Sequence, residues 1–178
     1  MNPIDILSTY YPAGSEVRRI LFSHSRDVAD KALAVARRHP ELKPDLNFLE
    51  EAALLHDIGI FLCNAPEIDC HGQAEYICHG YLGADLLRGI GYPRHALVCE
   101  RHTGAGISLC EIREQKLPLP QRDLLPLSIE EKIICYADKF FSKTSLGKEK
   151  TPERIQKSLA KYGADSLLRF QALEQLFG

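Results

Sequence analysis

Six polar residues stand at positions where a folded protein usually has apolar side chains. His24 follows Ile20 by four residues and precedes Val28 by four, so it shares the apolar stripe of one predicted helix. Asp138 follows Ile134 by four residues and faces inward for the same reason. The other four are an adjacent pair after an apolar run and two histidines at predicted helix ends: His56, Asp57, His79 and His102.

Several buried imidazoles and carboxylates cost free energy unless they share a compensating partner. A lone histidine on an apolar face is usually a hydrogen-bonded core residue, and a lone inward aspartate is usually a cap or half of an ion pair. Six such groups from different helices favour a metal centre, because neutral imidazole and carboxylate are ligands of first-row metals. The residues predict a site for divalent metal, with Fe, Mn, Co, Ni or Zn as candidates.

The cysteines point to no second chemistry. The chain has six cysteines and no CxxC pair, and the spacing of Cys70 and Cys78 does not suit a zinc site.

The beginning of the chain lacks a basic and then apolar leader, and no apolar run is long enough to span a membrane. We therefore expect a cytoplasmic protein whose thiols are inert and partly buried.

Helical spacing dominates the chain and strand alternation is scarce. Asn2 and Ser15 are predicted to cap the first two helices, and Asn47 with Glu50 resembles a capping box for a third helix that reaches Asp57. Ser128 and Glu131 form a second predicted capping box. The later helices are predicted at 79–90, 93–102, 128–141, 152–163 and 165–177.

These elements predict an all-α fold, a compact helical bundle in a single domain over residues 1–178. Its core is expected at about 17–143, with C-terminal helices at about 152–177. Residues 105–127 contain three prolines and are predicted to form a long connection, which in a compact domain is often a lid or a binding loop.

The overall charge argues against some classes of partner. Lys and Arg number 22 and Asp and Glu number 24, a formal balance of −2. Such a chain is a poor candidate for a long nucleic acid or an acidic membrane surface. Two divalent ions would nevertheless give the predicted site a net positive charge, so a small phosphorylated partner stays open. The oligomeric state is not indicated.

The order of these residues resembles the HD-domain superfamily of metal-dependent phosphohydrolases, an all-α family. The resemblance rests on the string HDIG at 56–59, the upstream His24 and the helix IICYADKF at 133–140, and it covers about residues 17–143. HGYLGADLL at 79–87 and ERHTG at 100–104 are similar to segments that carry two further histidines in dinuclear members. Many members have a lysine directly after HDIG, and here that position is Ile60.

The resemblance implies a role for each of the six residues. A first metal ion would be held by His24, His56, Asp57 and Asp138. Asp57 would bridge to a second ion, held also by His79 and His102. A metal-activated water would then attack a phosphoryl group whose oxygen the metal polarises.

The expected function is therefore a metal-dependent phosphohydrolase that acts on a nucleotide or another small phosphate ester. Asp57, Lys139 and Arg101 are the predicted catalytic residues, since Lys139 could stabilise a leaving phosphate and Arg101 could bind phosphate through two hydrogen bonds. His71 and Thr103, together with Arg101 and Lys139, are the predicted substrate-binding residues. A further group of cations is expected to be a solvated face: Lys148, Lys150, Arg154 and Lys157.

Two alternatives remain open. A similar order of ligands occurs in a diiron oxygenase branch of this fold, and ligand identity alone does not separate the two chemistries. The third possibility is a non-catalytic, metal-stabilised nucleotide sensor.

Overall fold

The computed structural model describes residues 2–178, so Met1 of the predicted domain lies outside the described residues. The only sheet in this part of the chain is an antiparallel pair, β1 (Asn64–Ala65) and β2 (Cys70–His71). The predicted all-α class is confirmed. The described residues form nine α-helices: α1 (Pro3–Tyr10), α2 (Glu16–Arg38), α3 (Leu46–Leu55), α4 (His79–Gly89), α5 (Pro93–Arg101), α6 (Leu109–Glu114), α7 (Ile129–Asp138), α8 (Pro152–Leu159) and α9 (Ala164–Phe177).

Two predicted helix starts are confirmed by the hydrogen bonds that cap them. The Asn2 side chain accepts a hydrogen bond from the Ile4 amide at 3.1 Å, and the Ser15 hydroxyl accepts one from the Arg18 amide at 3.4 Å. Each bond satisfies a backbone donor that has no partner within the first helical turn.

The predicted start of α3 is wrong by two residues. Asp45, and not Asn47, caps this helix, and its carboxylate accepts a hydrogen bond from the Phe48 amide at 3.1 Å. The Asp45 amide in turn donates to the Glu130 carboxylate at 3.1 Å, a contact 85 residues away along the chain. This tertiary bond holds Asp45 at the cap, so Asn47 falls inside the first turn.

The segment 105–127 is only partly the long connection that was predicted. It contains α6, which begins with a capping box between Ser108 and Glu111. At α7 the predicted box is half formed. The Ser128 hydroxyl caps the Glu131 amide at 3.2 Å, but the Glu131 carboxylate accepts from the Leu127 amide at 2.8 Å.

Two apolar clusters surround the polar residues of interest. The first cluster contains Leu21, Leu55 and apolar residues of α4 and α5. The second contains Val28, Leu54 and apolar residues of α7, α8 and α9. The helices α2 and α3 contribute to both, so His24 and His56 lie where the two clusters meet. Within residues 2–178, no helix has the length and apolar character that a membrane crossing requires.

Candidate metal centre

His24 and Asp138 come together because the stripes of α2 and α7 face each other. Nε2 of His24 lies 3.0 Å from Oδ1 of Asp138, although the residues are 114 positions apart. Both residues are buried, as their spacing from Ile20 and Ile134 predicts. The helical period therefore places an imidazole and a carboxylate side by side inside the protein.

His56 and Asp57 lie in a tight turn after α3. The buried Tyr11 hydroxyl donates a hydrogen bond to the Ile58 carbonyl at 2.7 Å, and the Cys99 thiol donates one to the His56 carbonyl at 2.9 Å. A side chain at Gly59 would lie 2.3 Å from the His79 carbonyl oxygen. Glycine thus lets this turn approach the start of α4, which carries His79.

Asp57 contacts donor groups on both sides. Its Oδ2 lies 3.2 Å from Nε2 of His24 and 3.0 Å from Nε2 of His56. Its Oδ1 lies 3.3 Å from Nε2 of His79 and 3.4 Å from Nε2 of His102. One carboxylate therefore joins a set of four residues to a set of three.

Backbone carbonyls orient three of the imidazoles. Nδ1 of His56 donates to the Ala53 carbonyl at 2.6 Å, and Nδ1 of His79 donates to that of Tyr76 at 2.6 Å. Nδ1 of His102 donates to the Cys99 carbonyl at 2.7 Å. Because a carbonyl oxygen only accepts, Nδ1 carries the proton, and in the neutral ring Nε2 presents a lone pair. This arrangement is typical of metal-binding histidines.

The donor atoms fit a metal ion. Nε2 of His56 and both oxygens of Asp57 are buried and have no well-directed hydrogen-bond partner. Within each set the candidate ligand atoms lie within 4.8 Å of one another. Buried polar atoms without partners are costly in a folded protein. A cation with nitrogen and oxygen ligands would satisfy all of them.

The charged groups shift one another's pKa values. Burial opposes the charge on Asp57, but His56 and Lys143 hold the pKa of Asp57 well below its usual range. Burial alone would lower the pKa of His56, yet the nearby Asp57 and Asp138 raise it to about 9. Burial lowers the pKa of His102 to about 4, which favours the neutral ring that a metal needs.

A cavity of about 670 Å³ opens onto this cluster. His79, Asp138 and Thr103 line it, so both donor sets reach its wall. Four cations also line it: Lys139, Lys143, Lys150 and Arg154.

The structure brings some of the other predicted residues to the cavity and not others. Nζ of Lys139 lies 2.6 Å from Oδ2 of Asp138, and Thr103 is on the wall. Arg101 points elsewhere, with Nη1 at 2.9 Å from Glu131. His71 is 68% exposed and lies 3.1 Å from Asp69. Neither Arg101 nor His71 lines the cavity.

The prediction of a solvated lysine and arginine face is wrong for Lys150, whereas the other three residues of that group are exposed. Lys150 is half-buried and donates to the Phe141 carbonyl at 3.2 Å, and Arg154 lines the cavity. Sequence reasoning missed Lys143, whose Nζ lies 2.6 Å from Oδ2 of Asp57. Lys143 follows Lys139 by four residues, and in a helix this spacing would place both lysines on one face. The spacing is not informative here, because α7 ends before both lysines.

Comparison with known protein families identifies the family of this chain. Residues 21–142 match the profile of the HD domain, and they include the six predicted ligands. The chain belongs to the HD domain family. Its predicted family resemblance is thereby confirmed.

Relatives of this HD domain protein occur among archaea. It is 38% identical over 107 residues to an uncharacterized protein of Methanocaldococcus jannaschii, covering 60% of this chain and 56% of that protein. It is 36% identical over 123 residues to a tRNA (cytidine(56)-2'-O)-methyltransferase of Thermoplasma volcanium, covering 68% of this chain and 32% of the relative. For the Picrophilus torridus methyltransferase of the same name, the identity is 34% over 143 residues, covering 76% and 38%. The chain therefore aligns with about half or less of each relative's length. No solved structure matches.

Proposed function

We propose that this protein is a metal-dependent phosphohydrolase that acts on a nucleotide or another small phosphate ester. The observation that carries the proposal is the two-sided contact of Asp57, which faces His24 and His56 with one oxygen and His79 and His102 with the other. A buried carboxylate in this position is suited to bridge two divalent ions.

The six residues would hold the ions in two sets that share Asp57: His24, His56, Asp57 and Asp138 in one, and Asp57, His79 and His102 in the other. When bound, the ions supply a water activated for attack and polarise a phosphoryl oxygen. The carbonyl contacts of the imidazoles keep their Nε2 atoms aimed inward. Lys139 holds Asp138 through Oδ2 and leaves Oδ1 facing His24.

The cavity supports an anionic substrate of nucleotide size. Its volume of about 670 Å³ lies within the usual range for small-molecule sites. Within residues 2–178, Lys150 and Arg154 form no ion pair with a carboxylate, although both line the cavity. Burial and the nearby cations Lys139 and Arg154 lower the pKa of Lys150, despite the opposing effect of Asp138. A phosphate group would compensate this unpaired positive charge.

The names of two relatives suggest additional substrates to test. Two are named as tRNA ribose methyltransferases, but this chain aligns with only 32% and 38% of their lengths. We therefore do not assign methyl transfer to it. RNA-derived 2′- and 3′-nucleotides join the 5′-nucleotides in the substrate panel.

We also infer that the C-terminal helices belong to the same folding unit as the metal centre. Phe170 and Phe177 of α9 are fully buried in the cluster that contains Ile134 and Ala137 of α7. Removal of α9 would therefore expose the helix that carries Asp138.

The test combines metal analysis with a substrate screen on one preparation. Wild-type protein should contain divalent metal and release phosphate from at least one member of the panel when supplied with Mn, Fe, Co or Ni. Asp57→Asn, which preserves the volume, should lose both bound metal and turnover. Asp30→Asn, at an exposed position of α2, is the matched control and should behave as the wild type.

Each alternative function has its own outcome. Iron-dependent oxygen consumption without phosphate release would replace the hydrolase with an oxygenase. Tight nucleotide binding without turnover would identify a sensor. Metal-loaded protein that neither binds nor hydrolyses any member of the panel would overturn the proposal.

A further inference from the structure

Lys143 contacts the carboxylate that both candidate metal-binding sets share. Its Nζ lies 2.6 Å from Oδ2 of Asp57, its side chain is only 12% exposed, and that of Asp57 is fully buried. It also lies 6.0 Å from the centre of the Tyr76 ring, which stacks on His79. An ammonium group therefore lies against the carboxylate that the two donor sets share.

This contact competes with a metal ion. Oδ2 of Asp57 is the same oxygen that faces His24 and His56. A divalent cation bound to Oδ2 of Asp57 would share this oxygen with the Lys143 ammonium group. Two positive charges in contact with one oxygen repel each other strongly in a buried site. Metal binding therefore favours a position of Lys143 farther from Asp57.

Lys139 provides the contrast within the same cavity. It contacts Oδ2 of Asp138, whereas Oδ1 of that residue faces His24 and His56. Its Nζ also donates to the His102 carbonyl at 3.3 Å. Lys139 and a metal ion would thus use different oxygens of one carboxylate, so Lys139 can stay in place.

The cavity beside Lys143 offers space for a second position of its side chain. Lys143 lies on the irregular segment between α7 and α8, and it lines the cavity. The Lys150 amide donates a hydrogen bond to the Phe140 carbonyl at 2.8 Å and closes the segment near its ends, and a turn from Ser142 to Ser145 contains Lys143. A rotation of the Lys143 side chain would move its charge away from Asp57 and toward the cavity that Lys143 lines.

We propose that Lys143 is a substrate-binding residue with two alternating partners. It pairs with Asp57 in the metal-free protein, and it binds a phosphoryl oxygen of the substrate once metal occupies the centre. The second half rests on the proposed phosphohydrolase function, whereas the first half depends only on metal binding.

The first experiment measures manganese binding to metal-free protein by titration calorimetry. Lys143→Met should bind Mn²⁺ about tenfold more tightly, a difference of about 1.4 kcal/mol, because the metal no longer has to displace an ammonium group from Asp57. Lys143→Arg keeps the charge and should resemble the wild type. Lys148→Met removes an exposed lysine from the same segment and is the matched control. Unchanged or weaker manganese binding in Lys143→Met overturns the first half.

The second experiment titrates inorganic phosphate into manganese-loaded protein. Lys143→Met should bind phosphate about tenfold more weakly, while Lys143→Arg should retain most of the affinity. The decisive result is that Lys143→Met binds manganese more tightly and phosphate more weakly. Loss of a lysine with only a structural role would change both affinities in the same direction or leave both unchanged. If Lys143→Met fails to fold, Lys143→Gln carries the same expectations.

Failure of this inference differs from failure of the proposed function. If the inference fails, Lys143→Met stays active with unchanged manganese and phosphate affinities. If the phosphohydrolase function fails, the wild type hydrolyses no phosphate ester, yet the manganese affinities of the Lys143 variants still differ.

Discussion

The Nε2 atoms of His79 and His102 lie 3.1 Å apart. Each ring uses its Nδ1 proton on a backbone carbonyl, of Tyr76 and of Cys99. In the neutral rings two lone pairs therefore face each other, a repulsive arrangement that a cation held by His79 and His102 would relieve. This pair, with Oδ1 of Asp57, makes the second donor set distinct from the first.

The first prediction concerns how many ions bind. His102→Ala should lower bound metal from about two ions per chain to about one, because the set around His24 and Asp138 remains complete. Asp57→Asn should remove both ions, since it belongs to both sets. Metal analysis by mass spectrometry after dialysis measures the ratio. His39→Ala, outside both sets, should leave it unchanged; a single ion in the wild type would contradict the two-set arrangement.

The second prediction concerns stability without metal. Free metal at a hundredfold excess over its dissociation constant stabilises the folded state by about 2.7 kcal/mol per site. For a chain of this length that corresponds to a rise in melting temperature of roughly 5–10 °C. Calorimetry with and without a chelator measures it. Asp57→Asn should show no rise, and an equal rise in that variant would place the metal elsewhere.

Helical periodicity was sufficient to find the buried donors on regular elements. His24 and Asp138 lie three or four residues from apolar neighbours. In a helix this spacing places them on the same face as those neighbours, independently of contacts with the rest of the chain. His79 and His102 lie at the ends of α4 and α5, and the family resemblance supplied their role. The helices were therefore predictable wherever an apolar stripe and a capping residue agreed.

Periodicity could not find residues placed by tertiary contacts. Lys143 lies on an irregular segment, where sequence spacing does not determine direction. Arg101 precedes a ligand but is drawn to Glu131, and the third helix begins at Asp45 because Glu130 binds its amide. Each of these outcomes depends on a partner at least 30 residues away, which local patterns do not encode.

The third prediction concerns the glycine of the HDIG turn. Gly59→Ala should destabilise the protein by about 3 kcal/mol and reduce metal binding, because the new Cβ meets backbone atoms of His79 and Gly83 that cannot rotate away. Gly89→Ala, at the end of α4, meets nothing within 4 Å and should be neutral or stabilising by up to about 1 kcal/mol. Urea unfolding and metal analysis compare the two variants. A Gly59→Ala protein with normal stability and metal content would refute the close-packing argument.

The fourth prediction concerns the pH dependence of stability through Glu100. This buried carboxylate, two residues before His102, accepts hydrogen bonds from Arg88 at 2.7 Å and Arg122 at 2.8 Å. Burial opposes its charge, but the two arginines lower the pKa of Glu100 below its ordinary value. Glu100→Gln should cost about 2 kcal/mol at pH 7, because hydrogen bonds to charged groups contribute about 1.5–3 kcal/mol.

The sign of the pH effect follows from the lowered pKa of Glu100. Between the folded and unfolded pKa values the unfolded chain binds more protons, so this contribution is complete above the unfolded pKa and is lost as the pH falls through the folded one. Urea unfolding of chelated protein from pH 7 to pH 3 should therefore show the wild type and Glu100→Gln converging in acid. Glu16→Gln, whose partner Arg19 is exposed, should match the wild type throughout. A gap between wild type and Glu100→Gln that does not narrow at all from pH 7 to pH 3 would mean that packing, and not charge, accounts for the loss.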